Sequence, residues 1–223
     1  MQKNQVKTIS KHALQRLPYY LNYLKKKQKE GIINISSPMI AMELDLNEVQ
    51  VRKDIASVSN RDGRPKTGHN VDLLIEDIEN FLGYNNVDHA VLVGAGQLGS
   101  ALLHYKGFEN YGLEIIAAFD SNPCLFNQEI NGIKVTSIDK LEDLVSRLKV
   151  HIGIITVPAQ YAQDVCNKMI KGGVLAIWNF APVHLNVPDN ILVHNENMAS
   201  SLAVLSRHLK EKMTTKSKSE VNK

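Results

Sequence analysis

VLVGAGQLGSALLHY, residues 91–105, is the stretch whose reading decides the fold. Its start, with the alanine before it, is an apolar run of strand character, AVLV; glycines stand at 94, 96 and 99, and the apolar residues then recur at helical spacing. A strand, a Gly-x-Gly-x-x-Gly turn and a helix in that order form the phosphate-binding corner of a doubly wound parallel α/β sheet. The first glycine permits the tight turn, the second lets a pyrophosphate approach the backbone, and the third lets helix pack on strand; the helix N-terminus offers unpaired N–H groups to the anion. Gly94, Ala95, Gly96, Gln97, Leu98 and Gly99 are thus candidate nucleotide contacts. The next strand ends in Phe119-Asp120, with Asp120 at a spacing from Gly94 suited to an acid that grips an adenosine ribose. A carboxylate there favours NAD over NADP, whose 2′-phosphate it repels. A mononucleotide or coenzyme A on the same scaffold stays open.

Working outward, DHAVLVG, LEIIAAFD, IKVT, HIGIITVP and GVLAIWNF read as strands, with helical runs QLGSALLHY, DKLEDLVSRL and AQYAQDVCNKMI between several of them. Alternation of this kind predicts a parallel sheet with helices on both faces. A last helix, NENMASSLAVLSRHLKEKM, carries Leu202, Leu205 and Leu209 on one side, to dock either on its own chain or on a second copy. Its tail, TTKSKSEVNK, has the composition of a disordered segment.

Toward the N-terminus the pattern is helical. Residues 10–29 place Leu14, Leu17, Leu21 and Leu24 at helical spacing; IINI is a short strand; SSPMIAMEL starts with a proline suited to a first turn. Asp45 precedes Glu48 by three, the pattern of a capping box opening a third helix at 47–59 with Val51, Ile55 and Val58 on one face. Three short helices with a tight turn before the third predict a helix–turn–helix. Lys11 and Arg16 on the first helix, and Gln50, Arg52, Lys53 and Ser57 on the third, are candidate DNA contacts. The Gly/Pro-containing stretch NRDGRPKTGHN (60–70) is either a wing, with Arg61, Arg64 and Lys66 against the phosphate backbone, or a plain linker. VDLLIEDIENFLG reads as an acidic amphipathic connecting helix ending at Gly83. Charge follows this division: residues 1–68 hold 13 Lys and Arg against 6 Asp and Glu, whereas residues 69–205 hold 7 against 15. A basic front end on an acidic body points to a nucleic-acid module.

Other classes find little support. No run approaches the roughly 18 apolar residues of a membrane span, and MQKNQVKTISKH lacks the apolar stretch of a secretory signal. Cys124 and Cys166 are read as free thiols of a reducing cytoplasm, and no Cys/His spacing suggests a metal. A hydride-transfer enzyme needs a proton donor or acceptor beside the nicotinamide. The Tyr-x-x-x-Lys pair of Tyr23 and Lys27 lies before the nucleotide site, on a helix of the basic module, and the histidines at 89, 104, 151, 184, 194 and 208 have no obvious partner. An NAD-dependent oxidoreductase with a helical substrate domain therefore has no named base.

Taken together, QVRKD (50–54), VGAGQLGSALLHY (93–105), FD (119–120), IGIITVPAQYAQ (152–163) and NFAPVHLNVP (179–188) closely resemble the Rex family of redox-sensing transcriptional repressors. The resemblance runs over residues ~8–210 and implies no enzyme, but a cytoplasmic homodimer that binds palindromic operator DNA and releases it when NADH rises. It implies a winged-helix domain at 1–69, a connecting helix at 70–83, a Rossmann NAD(H)-binding domain at 84–194, a C-terminal helix swapped between subunits at 195–213, and a disordered tail at 214–223. Thr156, Val157, Pro158, Phe180, Ala181 and Pro182 fall on strand ends expected to line the nicotinamide side, with Tyr105 nearby and Met198 reaching in from the other subunit; Arg52 and Lys53 fall on the recognition helix. The chain also departs from the pattern. The aromatic, glycine-rich stretch usual after QVRKD is here ASVSNRDGRPKTG, Lys11 stands where proline is frequent, and an Asp–Arg pair that switches partners in many members is replaced by Asn197 and Asn22.

Overall fold

The computed structural model describes residues 9–59, 61, 67–85 and 88–221. The chain divides into two compact units, Met1–Asn86 and Val87–Lys223. Arg64 and Lys66, and with them most of the expected wing, lie outside the described residues.

In the first unit, helix α1 (Lys11–Lys29) starts at Ser10, whose hydroxyl accepts the N–H of Ala13. Strand β1 (Asn34–Ile35) leads into α2 (Ser37–Glu43), capped by Ser36 with Pro38 in its first turn. A left-handed residue, Asp45 at φ +51°, turns the chain into α3 (Glu48–Val58). The cap of α3 is Asn47, whose side chain accepts from Gln50 N–H at 3.2 Å. The expected capping box at Asp45 is therefore not formed: that residue serves the turn, and the asparagine two positions on takes the cap, a role in which Asn and Asp are equally good. Strand β2 (His69–Asn70) pairs antiparallel with β1, and α4 (Val71–Leu82) follows, ending at Gly83 in the left-handed conformation as its glycine predicts.

The stripe read on the first helix holds at Leu17, Leu21 and Leu24, whereas Leu14 is exposed and Tyr20 and Tyr23 take inner positions instead. The segment read as a connecting helix belongs to this unit: Val71, Leu74, Ile75 and Ile78 are buried in one core with Leu17, Leu24, Ile40 and Ile55. Its amphipathic stripe finds its partner locally.

The second unit is a seven-stranded sheet made of β3 (Asp88–Val93), β4 (Leu113–Asp120), β5 (Glu129–Ile130), β6 (Ile133–Ser137), β7 (Ile152–Ile155), β8 (Ala176–Asn179) and β9 (Leu192–Asn195). The order is β5-β6-β4-β3-β7-β8-β9, all parallel except the β5–β6 hairpin. Sequence reading missed two strands of this sheet, as it missed β2 in the first unit. The hairpin turns on Asn131 (φ +51°) and Gly132 (φ +79°), the Asn-Gly pair that makes a tight β-turn. Strand β9 is a four-residue edge with little alternation.

Strand β3 continues into α5 (Gln97–Leu103), which stops short of Tyr105; a 3₁₀ turn (Lys106–Tyr111) then leads into β4. Helices α6 (Leu141–Leu148) and α7 (Ala159–Gly172) cover the opposite face. Alternate residues of β3 face the two sides: Val91 and Val93 pack with Val145, Val165 and Met169, while Ala90 and Leu92 pack with Leu103 and Ala118. A parallel sheet buried on both faces gives the unbroken apolar runs seen in the sequence. The connection from β8 to β9 is a loop, 180–191, rather than a helix.

Helix α8 (Met198–Val221) runs eight residues beyond the expected end. The expected tail at 214–223 is helical as far as Val221; TTKSKSEV holds no glycine or proline to stop a helix already begun. Leu202, Val204, Leu205, Leu209 and Met213 are all exposed, so among the described residues this stripe of α8 is not covered by its own chain.

Candidate nucleotide site and DNA-facing surface

Strands β3 and β7 are neighbours whose connections leave in opposite directions across the sheet, one to β4 and one to β8. A crevice opens at such a switch point beyond the carboxyl ends of the strands, where α/β sheets bind their ligands. The glycine loop sits there. Gly94 has φ +103°, and a Cβ on it would lie 2.9 Å from the Thr156 backbone; a Cβ on Gly99 would lie 1.9 Å from the Gly94 carbonyl oxygen. Around Gly96 nothing lies within 4 Å of that position. Two of the glycines are thus required by packing, and the middle one faces open space.

Residues 156 and 120 hold this loop. The Thr156 hydroxyl lies 3.0 Å from Val93 O and 2.7 Å from Gly94 O, donating its single proton to one at a time, and its N–H donates to Val93 O at 2.9 Å. Asp120, at the end of β4, accepts Ala95 N–H on Oδ2 and Asn122 N–H on Oδ1, each at 2.8 Å. Each carboxylate oxygen keeps lone-pair capacity for a further donor such as a ribose hydroxyl. Gly96 caps α5 without a side-chain bond, so the first-turn N–H groups stay available to an anion.

A cavity of about 500 Å³ lies beside the loop, lined by Gly94, Gly96, Asp120, Thr156, Val157 and Pro158, six of the expected residues brought together. Ala95, Gln97, Leu98 and Gly99 do not line it: Ala95 and Gly99 are buried in packing, and Gln97 and Leu98 are exposed at the start of α5. Sequence reading missed its α7 wall, where Tyr161, Asp164, Val165 and Lys168 also face the cavity. Their spacing of three, four and seven puts them on one helix face, a signal readable once α7 is placed directly after Pro158.

A second cavity, about 670 Å³, is lined by Phe180, Ala181 and Pro182 together with Val183, Asn195 and Glu196. Tyr105 lines neither cavity. Half exposed, it packs edge-on against Phe108 at 4.9 Å, the first step of an aromatic row continued by Phe108–Trp178 at 5.7 Å and Trp178–Phe180 at 4.9 Å. The side chain of Met198 lies outside what the structure describes.

Of the expected DNA contacts, Lys11, Arg52 and Lys53 are exposed and Gln50 and Ser57 half-buried on α1 and α3. Arg52 pairs with Glu48 one turn back, an exposed bond of small worth that a phosphate can replace. Two expectations change. Arg16 makes a two-point ion pair with the buried Asp54 (Nε–Oδ2 2.8 Å, Nη2–Oδ1 3.0 Å), and the Tyr20 hydroxyl donates to the same carboxylate at 2.7 Å. It holds α1 to α3 rather than reaching out. The Asp54 carboxylate raises the Arg16 guanidinium above its ordinary value, and burial, followed by the bond to Asp54, pushes the Tyr20 hydroxyl up to about 12. Arg61 is likewise committed to α4, 3.1 Å from Glu76 and 3.6 Å from Asp77, because the acidic face of α4 offers it carboxylates.

The fold and site define a two-unit chain: a helix–turn–helix followed by a dinucleotide-type α/β unit. Residues 8–56 match the family described as "Putative DNA-binding protein N-terminus", and residues 85–183 match the family described as CoA binding domain. The chain is 44% identical to the redox-sensing transcriptional repressor Rex of Treponema denticola over 86% of this chain and 91% of the relative. It is 40% identical to the Rex of Bacteroides fragilis over 90% and 91%. The crystal structure of RSP in complex with beta-NAD+ and operator DNA superposes with a TM-score of 0.87 at 32% identity, covering 94% of this chain and 96% of that one. The chain belongs to the Rex family of redox-sensing transcriptional repressors.

Proposed function

We propose that this protein is a DNA-binding repressor that reads the NADH/NAD+ balance, and that its nucleotide is a signal rather than a reagent. The observation that carries this is the presence, in one chain, of a helix–turn–helix with exposed Arg52 and Lys53 and of a switch-point crevice whose one open glycine is Gly96. RSP, solved with NAD+ and operator DNA and separately with NADH, supports both halves. The Gly96 backbone and the first turn of α5 hold the pyrophosphate, Asp120 takes the adenosine ribose, and the Phe180–Pro182 wall receives the nicotinamide. NAD(H) supplies one chemical difference here, a cationic or a neutral ring. The apolar part of this wall, Phe180, Ala181, Pro182 and Val183, favours the neutral reduced ring, since burying an unpaired cation is costly, and the Glu196 carboxylate on the same cavity is engaged by the Trp178 indole N–H. NADH shifts the protein toward a released state only by its differential affinity for the two states.

The working unit is a cytoplasmic homodimer on a palindromic operator. Leu202, Leu205 and Leu209 recur at i, i+3 and i+7 on an exposed helix, a stripe that a second copy buries. The sheet face bearing Trp178 carries exposed Leu192 on β9; α8 of the partner covers it, with Met198 near the nicotinamide. Two copies of α3 then read major-groove half-sites roughly 34 Å or a multiple apart.

The test is capture of sheared genomic DNA by the purified protein with NAD+ in one tube and NADH in the other, followed by sequencing. A palindrome enriched with NAD+ and lost with NADH is expected. The same site in both tubes would transfer the ligand role to another nucleotide, with coenzyme A first in line because of the family matched by residues 85–183.

A further inference from the structure

Helix α8 is fastened to strand β8 just before it begins. Glu196, two residues before Met198, donates its backbone N–H to Asn179 O at 2.8 Å, and its Oε1 accepts the Trp178 indole N–H at 3.0 Å. The ring of His194 lies 3.2 Å from the same oxygen. One residue later Asn197 accepts Ser200 N–H on its side chain at 2.9 Å, which caps the helix. Both bonds from Glu196 thus reach consecutive residues of β8.

The same two residues hold the wall of the second cavity. Asn179 is fully buried; its Oδ1 accepts Ala181 N–H at 3.0 Å, and its amide lies within 3.2 Å of Ala181 O, 2.9 Å of Val183 O and 2.8 Å of Asn195 Oδ1. The amide has two protons for three acceptors, so the loop at 181–183 and the end of β9 share one donor group. Trp178 packs on Phe180. A displacement of the Phe180–Val183 wall therefore cannot leave Glu196 where it was unless these bonds break.

We infer that Trp178, Asn179 and Glu196 form a clamp that converts occupancy of the cavity beside Phe180–Val183 into a change in the direction of α8, with Glu196 and Trp178 as positioning residues. This rests on the functional reading above. Trp178 lines neither cavity, and its indole N–H can be removed while a ring at 178 still packs against Phe180.

The experiment compares full-length native protein with Trp178→Phe, which keeps an aromatic ring between Phe108 and Phe180, and with Glu196→Ala and Glu196→Gln. Each is first shown to melt cooperatively; operator affinity, NADH affinity and the NADH concentration that half-releases operator are then measured. Trp178→Phe is expected to keep operator affinity without NADH within about twofold, while half-release needs about tenfold more NADH, the size of a typical coupling between sites. Glu196 also lines the cavity, so Glu196→Ala is compared at equal NADH occupancy, where it should match Trp178→Phe in half-release, and Glu196→Gln, which retains an Oε1 acceptor, should release like the native protein. The double variant should be no worse than either single one, since both remove the same bond. Native-like release by Trp178→Phe and Glu196→Ala overturns the clamp; so does a loss of NADH affinity by Trp178→Phe that accounts for all of its release defect. A native protein that holds operator at every NADH concentration overturns the clamp and the functional reading together.

Discussion

Within the glycine loop, a methyl group at Gly99 would sit 1.9 Å from the Gly94 carbonyl oxygen, whereas one at Gly96 would touch no protein atom. Gly99→Ala should therefore fail to fold normally, and Gly96→Val should fold while blocking the ligand. At φ −67° and ψ −160° the position 96 backbone is extended, outside the left-handed region that favours glycine. Its melting temperature should stay within a few degrees of native, with NADH affinity down about a hundredfold, as expected when a charged group loses its donors; native-like NADH-driven release by this variant would refute the loop assignment. Tyr20 supports a second expectation at this scale. Its hydroxyl is held near 12 in the folded chain against 10.0 ordinarily. A raised value means that its stabilising effect is complete below pH 10 and is lost as pH climbs from 10 to 12. The gap is worth about 2–3 kcal/mol. Denaturant titrations across that window should show the native protein losing that much more stability than Tyr20→Phe.

Secondary-structure elements divide into those a sequence shows and those it conceals. Strands β3, β4 and β7 were legible because both faces are buried and their apolar runs are continuous; α4 was legible because Gly83 ends it. Strand β5 was not, being two residues long, and neither was β9, whose four residues LVHN are exposed or half-buried and form no apolar run. Arg16 and Arg61 read as free cations because their carboxylate partners lie 38 and 15 or more residues away, beyond any local pattern. The ligand loop was readable from its glycines, but Asn179 and Glu196 were not, since their roles depend on a loop closing back on two strands. Two expectations belong to single helices. On α3, Arg52→Ala should cut operator affinity by about 1–3 kcal/mol and leave NADH binding unchanged; equal loss of both would remove α3 from its role. On α8, Leu205→Glu should turn a dimer into a monomer in sedimentation, because the stripe it interrupts is already exposed on the single chain and has no intrachain partner to lose.

For the molecule as a whole, two units with separate cores need not melt together. Calorimetry should resolve two transitions, and NADH should raise the one that belongs to Val87–Lys223. At a hundredfold excess over its dissociation constant the gain is about 2.7 kcal/mol. Operator DNA should act on the other transition. An equal shift of both by NADH alone would mean that the cores unfold as one.

The chain contains one tryptophan, and it sits at the bond between β8 and the start of α8, in ring contact with Phe180. That makes the protein its own optical gauge. Light absorbed by the indole can pass to a reduced nicotinamide, whose absorption overlaps indole emission, but not to an oxidised one. The two ligand states should thus be distinguishable by the colour of emitted light, without a label and with DNA present, from a side chain that belongs to the proposed clamp.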